Sequence, residues 1–147
     1  MKSTEKPVVV EQSYDVSRDE LWKAITQVDE MRQWFFDNIP EFEPVEGFET
    51  RFVVETENRT FPHLWKLTEV VPGEKITYDW RYEGYPGRAL VTFELREDGN
   101  SMKLIVTYDG IESFPDDIPE FTRESCKGGW EYFIQQSLQE FLKPGKE

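Results

Sequence analysis

The stretch "CKGGWEYFIQQSLQEFL", residues 126–142, carries its apolar side chains at helical spacing. Trp130, Phe133, Ile134, Leu138, Phe141 and Leu142 share one side, with Glu131, Gln135, Gln139 and Glu140 on the other. Traced back through Ser125 and Phe121, the pattern predicts one long helix over Pro119–Leu142, proline being tolerated in a first turn. Such a helix is ~36 Å long, enough to cross a whole sheet. Gly128 and Gly129 sit inside it, directly before Trp130, although an interior glycine costs about 1 kcal/mol relative to alanine. Three readings are open: close approach of a neighbouring backbone, room for a ligand, or a bend in the helix.

Working outward, residues 41–110 lose the helical period and alternate. "TRFVVETEN" (50–58), "FPHLWKLTEVV" (61–71), "ITYDWRY" (76–82), "RALVTFELRE" (88–97) and "SMKLIVTYDG" (101–110) each place apolar residues on one face and polar ones on the other. That is the pattern of antiparallel strands with one buried and one wet face. "VPGEK" and "EDGN" are turns, the second centred on Asp98-Gly99. Upstream, "VVVEQSYDV" (8–16) reads as a further strand. Ser17 and Glu20 have capping-box spacing, and Val16 and Leu21 stand at staple positions, so a helix follows. Asp29 is placed to cap a second short helix, "EMRQWFFDN". The expected fold is α+β: a curved antiparallel sheet of about six to seven strands around a long C-terminal helix, with two short helices after the first strand. One domain over residues 8–143 accounts for the chain, with loose tails at 1–7 and 144–147.

Composition bounds the function. Seventeen Lys and Arg against 30 Asp and Glu give a net charge of −13. Such a surface repels phosphate backbones and anionic lipid heads, so nucleic acid and membrane are poor partners. No uncharged apolar run approaches the ~18 residues of a membrane span, and "MKSTEKP" is not followed by a secretory apolar region. A cytoplasmic location is expected. One cysteine, Cys126, allows no intrachain disulfide, and with His63 the single histidine, metal sites built on several His and Cys ligands are excluded by count. No phosphate-binding glycine loop or paired-carboxylate spacing is present, and no cofactor is expected.

Order and motifs together resemble the helix-grip, START-like (SRPBCC) superfamily, and within it the family related to the activator of heat-shock protein 90 ATPase. "DVSRDELWKAITQVDEMRQWF", "EVVPGEKITYDW", "VTFELREDGNSMKLIVTYDG" and "GGWEYFIQQSLQEFL" carry the match. The resemblance implies a cavity between sheet and helix. Trp34, Phe52, Trp65, Trp80, Phe93 and Trp130 form the expected aromatic wall, joined by His63, Tyr78, Cys126, Gly129 and Phe133 as candidate lining. The expected occupant is a small hydrophobic or aromatic molecule, bound without being transformed. Two alternatives remain: a cyclase- or aromatase-like enzyme using His63 or a tyrosine as acid/base, and a chaperone-interaction module using the acidic surface. Either a monomer or a homodimer is compatible with the sequence.

Overall fold

The computed structural model describes residues 1–143; the expected tail at 144–147 lies outside the described residues. Six strands form one antiparallel sheet in the order β1-β6-β5-β4-β3-β2. They are β1 (Val8–Tyr14), β2 (Glu49–Glu55), β3 (Thr60–Val71), β4 (Lys75–Tyr82), β5 (Arg88–Asp98) and β6 (Ser101–Glu112). Alternation of buried and half-buried residues along Arg88–Leu95 of β5 and along β6 shows why the pattern was readable: one face meets the core and the other is turned toward solvent. The β5–β6 turn is centred on Gly99-Asn100 rather than Asp98-Gly99, because Asp98 still pairs with Ser101 and Gly99 takes the positive φ of 61°.

Helix α1 (Arg18–Thr26) starts with a complete capping box, Ser17 accepting from the Glu20 amide while the Glu20 side chain accepts from the Ser17 amide. Helix α2 (Val28–Trp34) follows at once. Asp29 falls inside its first turn, and Gln27, common to the end of α1, occupies the capping position without a side-chain bond. The chain then leaves helical geometry at Phe35 and runs through a long segment to β2. That segment is tied down by Arg32, which donates to the carbonyls of Ile39 and Pro40, and by Asn38, which donates to Val53. Its own Ile39 and Phe42 are buried.

The C-terminal helix differs from expectation in two ways. Pro119–Phe121 forms a separate 3-10 turn, and the helix begins at Arg123, capped by the Thr122 hydroxyl on the Ser125 amide. It runs as α3 (Arg123–Glu131), widens into a π-helical segment (Tyr132–Ser137) and ends as α4 (Leu138–Phe141). Trp130, Ile134 and Leu138 form its buried stripe.

The segment before β1, expected as a loose tail, packs against the body. Met1 is buried over Gly110, its carbonyl accepts from the Phe114 amide, and Arg123 donates to the carbonyls of Lys6 and Pro7. No described helix is long and apolar enough to cross a membrane.

Candidate functional site

Between the inner face of the sheet and the C-terminal helix lies a layer of aromatic rings. β3 and β4 pair Trp65 with Trp80, and β4 and β5 pair Ile76 with Phe93, which places these side chains side by side on the inward face. Helix α3 supplies Trp130, 5.5 Å by ring centroids from Trp80 and 5.8 Å from Phe93. At the middle stands Phe35, which the sequence did not mark as a lining residue. It stacks on Trp34 at 4.7 Å and 9°, lies 5.6 Å from Trp65 and 5.8 Å from Trp130, and meets Phe133 edge-on at 4.8 Å. Phe36 fills the adjoining space against Phe52, His63 and Phe133, each within 5.2 Å. These spacings are those of packed aromatic pairs. The structure thus brings together Trp34, Phe52, His63, Trp65, Tyr78, Trp80, Phe93, Trp130 and Phe133, and fills the space among them with Phe35 and Phe36.

Gly129 does not belong to this lining. Both Gly128 and Gly129 face solvent, and a Cβ added at either meets nothing within 4 Å. Neither close packing nor interior room explains them. Successive helical residues turn by about 100°, so the buried stripe of Trp130 and Ile134 carries these two glycines around to the outer side. Cys126 is half-buried and packs against the core, and burial pushes its thiol up from the ordinary cysteine value. That is the character of a small hydrophobe rather than a nucleophile.

His63 is 5 % exposed, stacks on Phe52 at 4.9 Å and places Nδ1 3.0 Å from the Phe61 carbonyl oxygen. Burial lowers its pKa to about 4 against the hydrogen bond's opposing effect, so the imidazole is neutral at physiological pH. The Trp80 indole donates to the Tyr82 hydroxyl at 2.9 Å. Trp65 Nε1 and the Tyr78 hydroxyl are buried and have no partner among the described residues. Also among the described residues, no group of three or more His, Cys, Asp or Glu side chains is arranged to hold a metal ion.

A cleft of about 630 Å³ opens at the β2 edge of this layer, lined by Arg32, Phe36, Val54, Glu55, Tyr132 and Ser137. It lies where the segment after α2, the edge strand and the π-helical segment converge. Phe36 therefore belongs both to the aromatic layer and to the cleft wall.

The family model described as "Activator of Hsp90 ATPase homolog 1-like protein" matches residues 15–143. The chain belongs to that family. No curated protein matches its sequence. Among solved structures, it is similar to DynU16, from the dynemicin biosynthetic locus, with 23% identity over 97% of this chain and a TM-score of 0.75. This chain spans about half, 49%, of DynU16. It is also similar to CV1439 from Chromobacterium violaceum, at 20% identity over 95% of this chain and 98% of that one, with a TM-score of 0.76. PFC0360w, an HSP90 activator from Plasmodium falciparum, is similar at 19% identity over 94% and 96% of the two chains, with a TM-score of 0.72. At these identities the likeness establishes the helix-grip fold shared by this activator-homologue family member and its neighbours.

In this family member the inner wall is apolar, ring-rich and studded with a few buried donors. The chemistry such a wall offers is shape, edge-to-face ring contact and a small number of hydrogen bonds.

Proposed function

We propose that this protein binds a small apolar, ring-bearing molecule between its sheet and its C-terminal helix, admitted through the cleft at the β2 edge. The observation that carries this reading is the position of Phe35 and Phe36. Both sit on the non-helical joint after α2, where Phe35 has φ −105° and ψ −117°, and both fill space walled by rings from the sheet and the helix. Phe36 is only half-buried and reaches the cleft. Moving these two rings outward on a loop frees ring-shaped room whose walls already suit aromatic contact. The layer's titratable groups support binding over acid/base conversion, since His63 stays neutral and the Cys126 thiol is pushed up.

Titration with the neutral fluorophore N-phenyl-1-naphthylamine tests this. Wild type is expected to raise and blue-shift its emission, and Phe36→Ala, which removes part of the plug, to bind it more tightly. A gain confined to the variant, or no gain in either, overturns the reading.

The family and the net charge of −13 favour a second reading, regulation of a heat-shock protein 90 ATPase through the acidic surface. Absence of binding to the purified chaperone's middle domain at moderate salt would remove it.

A further inference from the structure

Two polar atoms inside the aromatic layer stand apart from the rest. Trp65 Nε1 and the Tyr78 hydroxyl are sealed from solvent, with their residues 2 % and 0 % exposed, and among the described residues neither has a hydrogen-bond partner. The surrounding core treats its polar atoms differently. Trp34 Nε1 donates to the Ala24 carbonyl at 2.7 Å, Trp80 Nε1 donates to the Tyr82 hydroxyl at 2.9 Å, and the Tyr14 hydroxyl donates to the Ile134 carbonyl at 2.5 Å. Buried polar groups are nearly always paired, so two orphans on neighbouring rings call for a physical reason.

The rings that carry these two atoms are neighbours. Tyr78 pairs with Leu67, and Trp65 with Trp80, so Trp65 and Tyr78 are diagonal on adjacent strands and share the inward face. Their ring centroids are 5.0 Å apart at 77°. Phe42, from the segment after α2, closes over both, stacked on Tyr78 at 6.0 Å and edge-on to Trp65 at 6.3 Å. Phe35 lies beside Trp65 at 5.6 Å.

An indole N–H only donates, and a neutral phenol also donates. Burial raises the Tyr78 phenol well above its ordinary value, which keeps it protonated. What satisfies both is an acceptor with two lone pairs. A lone water would accept from both donors but leave its own two O–H groups facing the rings of Phe35, Phe42 and Phe93, whereas a carbonyl oxygen brings no donor of its own. We propose that Trp65 and Tyr78 form a two-donor clamp for an acceptor oxygen, foremost a carbonyl, on the ring-bearing molecule taken up by this layer. This rests on the binding reading above and narrows its ligand class from any apolar ring to ring ketones, quinones and close relatives.

The matched probes 1-indanone and indane, which differ by one carbonyl in place of a methylene, test the clamp. Their affinities are read from ¹H–¹⁵N spectra of the full chain, in which Trp65→Phe identifies the Trp65 indole signal. Wild type is expected to prefer the ketone by about tenfold or more, because a site built to pair a polar group discriminates against the analogue lacking it. The Trp65 indole proton is expected to move downfield with the ketone and not with indane. Tyr78→Phe and Trp65→Phe, each conservative in shape, are expected to erase the preference while keeping indane affinity. Equal affinity of wild type for the two probes overturns the clamp and leaves the binding reading standing. A water contact at the Trp65 indole that persists with ketone bound overturns the clamp in favour of a structural water. Binding of neither probe, to wild type or to Phe36→Ala, overturns both readings.

Discussion

The hydroxyl of Tyr14 in β1 donates to the carbonyl oxygen of Ile134 at 2.5 Å, at the heart of the π-helical segment. In that segment the Leu138 amide bonds to Phe133, five residues back, which bypasses the Ile134 carbonyl four residues back. Tyr14 takes up the bypassed group. On the opposite side the Ser137 hydroxyl donates to the Trp34 carbonyl at 2.6 Å. The widened turn is thus pinned to the first strand and to α2, next to the cleft at the β2 edge. Single-turn widenings of this kind are frequent at functional sites.

Tyr14→Phe is expected to destabilise the protein by about 1–2 kcal/mol, the loss of one buried hydrogen bond with its acceptor left behind. Urea denaturation measures it. Amide exchange is expected to speed up across Tyr132–Leu138 more than in β5, because the pin is local. Uniform loss of protection would show that Tyr14 acts through the whole core instead.

Gly128→Ala and Gly129→Ala are each expected to stabilise by about 0.5–1 kcal/mol, since both glycines are exposed, neither has a positive φ, and a Cβ at either meets nothing within 4 Å. Thermal midpoints check this. A fall in stability would mean the outer face of α3 tolerates no side chain there, which the geometry contradicts.

His63 makes stability depend on pH. Its pKa falls from 6.5 to about 4 on folding, so between those values the unfolded chain binds a proton that the folded one refuses. The contribution is fully present above pH 6.5, declines as pH drops, and is lost by about pH 4, amounting to about 3 kcal/mol across the window. Urea denaturation at pH 7 and pH 4.5 is expected to show a clearly larger loss in wild type than in His63→Phe. Equal losses would place the histidine in contact with solvent.

On the outer face of the sheet, Asp79 accepts from Arg81 at 3.0 and 3.3 Å and from Arg88 at 3.0 Å. Burial opposes its ionisation, but the two guanidiniums outweigh that and hold the carboxyl below its ordinary value. Its contribution is present above the usual carboxylate range and lost as pH falls through the lowered value. Asp79→Ala, which takes the shared carboxylate from the partly buried Arg88 and the exposed Arg81, is expected to cost about 1–2 kcal/mol at neutral pH. A cost below about 0.5 kcal/mol, the scale of a surface ion pair, would show the cluster to be solvated.

The strands were legible because apolar and polar residues alternate along them: Phe93 and Val91 alternate with Thr92 and Glu94, and the observed boundaries follow that alternation closely, although in β4 the polar Thr77 and Asp79, expected on a wet face, are buried as well. The first helix was legible from Ser17 and Glu20. The glycines misled because they border Trp130 in sequence, whereas a helix wheel centred on Trp130 and Ile134 turns them to the outside. The π-helical segment was not legible because its pins, Tyr14 and Trp34, are remote in the chain. Phe35 and Phe36 were passed over for a related reason. They read as the end of an amphipathic helix, and only the break in backbone geometry at Phe35 carries them into the aromatic layer. The orphaned donors of Trp65 and Tyr78 depend on what the surrounding side chains fail to offer, which no spacing in the sequence encodes.

The most direct measurement is native mass spectrometry of the full chain purified from its own host, beside a denatured sample and a Trp130→Ala variant. The expected result is a discrete additional mass of a small molecule on the native wild type, absent after denaturation and diminished in the variant. An unadorned native mass, together with no uptake of N-phenyl-1-naphthylamine by wild type, would contradict ligand binding in the aromatic layer and leave its rings as core packing alone.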